Sequence, residues 1–144
     1  MKITYKGDYA LKVVIELARL PEGGIVTIAG LATKLDIPQK FLEQVLLDLK
    51  KGGVLQSRRG KQGGYALARS ADTIRVGDIV RLIDNPIEPI ACVDNGYDGC
   101  RDMTRCLVRP LFVKAHQAVT DILDEATIGS LLRQAQNQQI AFDI

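Results

Sequence analysis

Tryptophan is absent from this 144-residue sequence, and there are only three Phe, four Tyr and one His. A core must therefore come from Leu, Ile, Val and Ala, the aliphatic residues that fill most protein interiors. Long apolar runs are also missing, since none approaches the roughly 18 residues of a membrane span. The opening stretch, MKITYKGDYA, lacks the apolar segment of a secretory signal, so a cytoplasmic location with no membrane partner is expected. Cysteine is confined to Cys92, Cys100 and Cys106. An odd number in a reducing compartment argues against a disulfide framework. Internal repeats and low-complexity tracts are absent. The 47% apolar and 25% charged residues are an ordinary globular composition and argue against disorder. The length fits one domain, with at most an appended arm.

Enzyme chemistry has little to stand on. No Ser/His/Asp or paired-carboxylate arrangement stands out. The glycines of RRGKQGG lack the Lys-Ser/Thr ending of a phosphate-binding loop and lead into a strand. No enzymatic activity is expected.

Charge is nearly balanced overall but not along the chain. Residues 1–84 carry a net +5 and residues 85–144 a net −3, for a total of +2. A basic N-terminal unit suits an anionic partner. The cysteines open the acidic part.

The patterning predicts a mainly helical protein. Asp8 to Leu20 has Ala10, Val13, Val14, Leu17 and Ala18 at helical spacing, and Pro21 with Gly23-Gly24 ends it. Thr27 is a plausible N-cap for a short helix over Ile28 to Leu35. Pro38 suits the first turn of a third helix that runs to Lys51 with Phe41, Leu42, Val45, Leu46 and Leu49 as its apolar stripe. Val54 to Arg58 and Tyr65 to Ala68 read as two strands joined by a glycine-rich loop. A fourth helix is predicted over Ile74 to Ile83. From Asn85 to about Met103 periodicity is lost. A long helix then runs from Cys106 or Leu107 to Glu125, with Pro110 in its first turn. Thr127 can cap a last helix over Ile128 to Gln138.

Two helices joined by a tight turn and followed by a hairpin with a basic glycine-rich tip make a winged helix-turn-helix. Its third helix would enter the major groove of double-stranded DNA with Gln39, Lys40 and Gln44. The wing would bring Arg58, Arg59, Gly60 and Lys61 to the backbone or minor groove. The long helix needs a partner surface. A homodimer built on it would set two recognition helices about 34–36 Å apart, one turn of DNA. The expected units are a DNA-binding domain over 1–84, a cysteine-containing sensor loop over 85–106, and a dimerisation helix with a C-terminal helix over 107–144.

The spacing Cys92-x7-Cys100-x5-Cys106 is not that of a zinc ribbon. Three thiolates on one polar loop favour a soft metal site, such as zinc, copper(I) or an iron–sulfur cluster. A fourth ligand is open among Asp94, Asp98, Asp102, His116 and a partner subunit. A cluster-free redox sensor, a structural zinc site, and control by a partner protein or small ligand are the alternatives.

The run IPQKFLEQVLLDLKKGGVLQSRRGKQGGYALA (37–68), with KGDYALKVVIELA (6–18) and TIGSLL (127–132), resembles the Rrf-two family of bacterial winged-helix regulators. The resemblance covers nearly the whole chain. It implies a homodimer on palindromic promoter DNA. It also implies an iron–sulfur cluster, 2Fe–2S or 4Fe–4S, because cluster-bearing members have three cysteines before the long helix and other members lack them. One branch uses a histidine three residues after the last cysteine. Arg109 stands there, and a guanidinium stays protonated and cannot ligate. Another branch uses an acidic residue of the partner's first helix, and the matching position is Asp8.

Overall fold

A computed structural model describes residues 2–143, with side-chain burial described for 2–139; Met1 and Ile144, the outermost residues of the expected units, lie outside the described residues. The described residues form six α-helices and one two-stranded antiparallel sheet. The elements are α1 (Tyr5–Ala18), α2 (Ile28–Leu35), α3 (Gln39–Lys51), β1 (Leu55–Arg58), β2 (Gly64–Leu67), α4 (Val76–Asp84), α5 (Arg109–Glu125) and α6 (Ile128–Asp143). Single 3₁₀ turns lie at Ala71–Thr73 and Ala91–Val93.

The first helix begins one turn earlier than the apolar periodicity indicates. Thr4 is its N-cap, its hydroxyl accepting from the Gly7 amide at 3.2 Å. Asp8 therefore sits inside the first turn, where its charge suits the helix dipole. Thr27 caps α2 in the same way, through the Gly30 amide at 3.1 Å. The turn into α3 uses Asp36 in the left-handed conformation (φ 52°). Pro38 stands immediately before α3, where its missing N–H costs nothing. Helix α4 starts at Val76, not Ile74. The backbone of Ile74 to Val76 instead pairs with the stretch before α6: Val76 N donates to Ala126 O and Ile128 N to Ile74 O, both at 2.9 Å. Helix α5 starts at Arg109, two or three residues later than predicted, with Pro110 in its first turn. Helix α6 continues past Gln138 to Asp143.

The core is aliphatic. Ala10, Val13, Val14 and Leu17 of α1 pack with Leu31, with Leu42, Val45, Leu46 and Leu49 of α3, with Ile79 and Val80 of α4, and with Ile128. Burying each of the Val, Leu and Ile side chains among these stabilises the fold by roughly 1.5–3 kcal/mol. The long helix differs: none of its residues is buried. Val119 and Leu123 lean on the core, while Leu111 and Ile122 are 65% and 67% exposed. None of the described helices is long and apolar enough to cross a membrane.

Candidate functional site

The buried stripe of α3 fixes its opposite face outward. With Leu42, Val45, Leu46 and Leu49 inside, Gln39, Lys40, Glu43 and Gln44 are exposed together. Phe41 sits at the edge, its ring edge-on to Tyr9 at 5.4 Å. The Gln44 amide is already placed: its Nε2 donates to Asp48 Oδ1 at 3.1 Å. Lys6 of α1 forms an ion pair with the other oxygen of Asp48. That hydrogen-bonded ammonium holds the Asp48 carboxyl below its usual pKa, so it is ionised at neutral pH. Lys6 and Asp48 are not among the residues that the sequence predicts for DNA contact. The i, i+4 spacing of Gln44 and Asp48 was the available signal.

The wing is built on the register Leu55↔Leu67, Gln56↔Ala66, Ser57↔Tyr65 and Arg58↔Gly64. Its tip turns through Gly60 at φ +109°, a conformation that only glycine adopts freely. Arg58, Arg59, Gly60 and Lys61 are all exposed, and none of the three cations is in an ion pair among the described residues. Two attachments fix the wing to the body. Lys50 Nζ of α3 donates to Ser57 Oγ at 2.6 Å, and Val26 exchanges backbone hydrogen bonds with Tyr65 at 3.1 and 2.8 Å. The seven expected DNA-contacting residues thus lie on two exposed, mutually braced elements.

All three cysteines are free thiols on the segment between α4 and α5. Cys92 and Cys106 are half-buried and Cys100 is exposed. Among the described residues, no three His, Cys, Asp or Glu side chains converge on a metal-sized centre. The donor set fits soft-metal chemistry, but one chain alone does not gather it. Two bonds tie this segment to α5. Arg109 Nε donates to the Cys92 carbonyl at 2.9 Å, and His116 Nδ1 meets the Ile87 carbonyl at 2.6 Å. His116 thus anchors the loop with one ring nitrogen, and Arg109 clamps the backbone of a thiol residue. Asp8 projects from α1, its side chain 48% exposed, with Oδ2 accepting from Lys12 Nζ at 2.6 Å. This hydrogen bond, foremost, raises the pKa of Lys12.

A buried-faced recognition helix, a braced basic wing and a preceding helix-turn define a winged helix-turn-helix of the DNA-binding class. Comparison with known proteins agrees. The Rrf-two family profile, described as "Iron-dependent Transcriptional regulator", matches residues 3–134. An rrf2-like HTH-type transcriptional regulator of Rhodobacter capsulatus is 36% identical over 137 residues, 90% of this chain and 91% of the relative. The HTH-type transcriptional regulator IscR of Aliivibrio salmonicida is 32% identical over 141 residues, 98% of this chain and 83% of the relative. The solved structure of CymR, the global cysteine regulator of Bacillus subtilis, superposes with a TM-score of 0.76 at 31% identity, covering 91% of this chain and 95% of that one. The chain belongs to the Rrf-two family, whose members are DNA-binding transcriptional regulators and not enzymes.

Proposed function

We propose that this regulator is a cytoplasmic homodimer whose grip on palindromic promoter DNA is switched by an iron–sulfur cluster on Cys92, Cys100 and Cys106. Asp8 of the partner subunit is the fourth ligand. The observation that carries the reading is the Arg109–Cys92 bond, which joins a thiol-bearing residue to the first residue of the long helix. The three units proposed are the DNA-binding domain 1–84, the sensor loop 85–106 and the dimer-forming part 107–144. Support for the dimer is the stripe Leu111, Ala115, Ala118 and Ile122, which is exposed and spaced to cover one face of α5.

A bound cluster supplies redox and ligand-exchange chemistry. The protein supplies three soft donors, the Arg109 clamp and the His116 anchor. Any change in the loop is transmitted to α5 through these two bonds. To shift an operator equilibrium decisively, loop states must differ by a few kcal/mol in how they favour the two dimer arrangements. On the DNA, Gln39, Lys40 and Gln44 meet the major groove, while Arg58, Arg59 and Lys61 meet the backbone at the wing, with Gly60 letting the tip approach closely.

The test is purification without oxygen, followed by iron and sulfide analysis and absorption spectroscopy. Bound iron and sulfide with visible charge-transfer bands are expected. Metal-free, colourless protein after anaerobic reconstitution overturns the cluster reading. A second reading, a cluster-free thiol sensor, is favoured by the exposure of Cys100 and the separation of the donors. Reversible inter-cysteine disulfides after mild peroxide, in protein that never binds iron, identify it.

A further inference from the structure

The first turn of α1 touches both the recognition helix and the start of the cysteine segment. At one end, Asp84 closes α4 and immediately precedes that segment. Its carboxylate accepts from the Thr4 amide at 3.0 Å and from the Thr4 hydroxyl. Gly7 leaves the room for this, because a Cβ there would overlap Asp84 Oδ2. At the other end, Lys6 reaches across to Asp48, and Asp48 holds Gln44. An ionised carboxylate only accepts, so the atom of Gln44 facing it is Nε2. One N–H of the amide is thereby committed. The second N–H and Oε1 stay free, which is the donor–acceptor pair an adenine edge accepts from a glutamine.

We propose that Asp48, held by Lys6, is a positioning residue that presets the Gln44 amide for an adenine edge, and that the Thr4–Asp84 contact makes this setting responsive to the cysteine segment. The inference rests on the recognition-helix reading of α3. A preset amide loses less rotational freedom on binding, so its contribution appears as base discrimination and not as general affinity. Asp48 is itself an anion beside the DNA face. Neutralising it should strengthen binding to arbitrary duplex while weakening discrimination.

The experiment uses the full-length protein and duplexes selected by it from a random pool, with every base pair of the selected site then varied. Gln44→Ala identifies the position that Gln44 reads. At that position, Asp48→Asn and Lys6→Met should each reduce preference for the selected base by about tenfold, equivalent to one good contact. Neither should have a further effect when Gln44 is already Ala. Asp84→Asn should lower the same preference in the wild-type background and do nothing in Lys6→Met. Equal weakening on all sequences, or effects that persist in Gln44→Ala, overturns the positioning role. An effect of Asp84→Asn that persists in Lys6→Met overturns the link to the cysteine segment. If Gln44→Ala changes no base preference, the assignment of Gln44 to base reading fails, and the inference falls with it. Thermal midpoints of all variants, measured alongside, separate these outcomes from loss of fold.

Discussion

The Arg81 guanidinium holds both carboxylate oxygens of Asp124 at 2.7 Å. This two-pronged bond joins the last helix of the winged domain to the C-terminal end of α5. Gly77, one turn earlier on α4, is buried beneath it, and a Cβ at that position would overlap Asp124 Oδ1. Gly77→Ala should therefore displace the pair although alanine is the better helix former. The expected loss is about 1–2 kcal/mol, similar to that of Asp124→Asn, since the pair is partly exposed. Denaturant titration of the two single variants and the double variant checks this. Additive losses would show that Gly77 acts elsewhere.

None of the three thiols contributes to the aliphatic core. Replacing Cys92, Cys100 and Cys106 together by Ala should abolish the iron-dependent chromophore and leave the thermal midpoint of the cluster-free protein nearly unchanged. A large drop in that midpoint would mean that the segment packs more tightly than its exposure indicates.

Asp8 and His116 should separate cleanly. Asp8→Ala removes an exposed i, i+4 partner of Lys12, which matters little to folding. It should nevertheless lower iron retention in the dimer. His116→Ala removes the bond to the Ile87 carbonyl and should loosen the segment without removing a ligand. Amide exchange around 85–106 and iron content report the two effects independently. Iron lost in His116→Ala but kept in Asp8→Ala would reverse the assignment.

Lys40→Ala and Arg59→Ala should each weaken promoter binding and flatten its salt dependence by about one unit, if each meets one phosphate. A slope unchanged in both variants would move the docking surface away from α3 and the wing.

The Lys6–Asp48 pair also has a pH consequence. The folded carboxyl titrates below its ordinary value of 3.8 because Lys6 donates to it. Its stabilising effect is thus fully present above that value and is lost as pH falls through the lowered folded pKa. Asp48→Asn should lose stability relative to the parent at neutral pH, and the difference should shrink below about pH 4. Acid titrations of unfolding in both proteins measure it.

Much of this architecture was legible because local signals and burial agree. Thr27 marks the start of α2, Gly52-Gly53 follows the end of α3, and the stripe Leu42, Val45, Leu46 and Leu49 is the buried face. The errors have a common origin in contacts distant along the chain. Ile74 to Val76 has helical periodicity, but its backbone pairs with Ala126 to Ile128, fifty or more residues away. The start of α1 escapes the apolar pattern because its cap, Thr4, lies outside that pattern and is itself held by Asp84. At the site, exposure of Lys40 and Gln44 follows from helical periodicity, and that of the wing cations from the glycine-rich turn that carries them. The anchoring roles of Arg109 and His116 did not, since both bond to backbone carbonyls whose positions no spacing reveals.

The two ends of α5 are attached differently. Its C-terminal end is fastened to the winged body by Arg81 and by the backbone pairing around Ala126, whereas its N-terminal end is held through Arg109 to the cysteine segment. Under the proposed switch the helix would act as a lever, with its fulcrum at Asp124 and its load at Arg109. Its 17 residues span about 25 Å at 1.5 Å each. A tilt of only about 5° at the fulcrum sweeps the far end by about 2 Å, comparable to the helix shifts by which packed interfaces change arrangement.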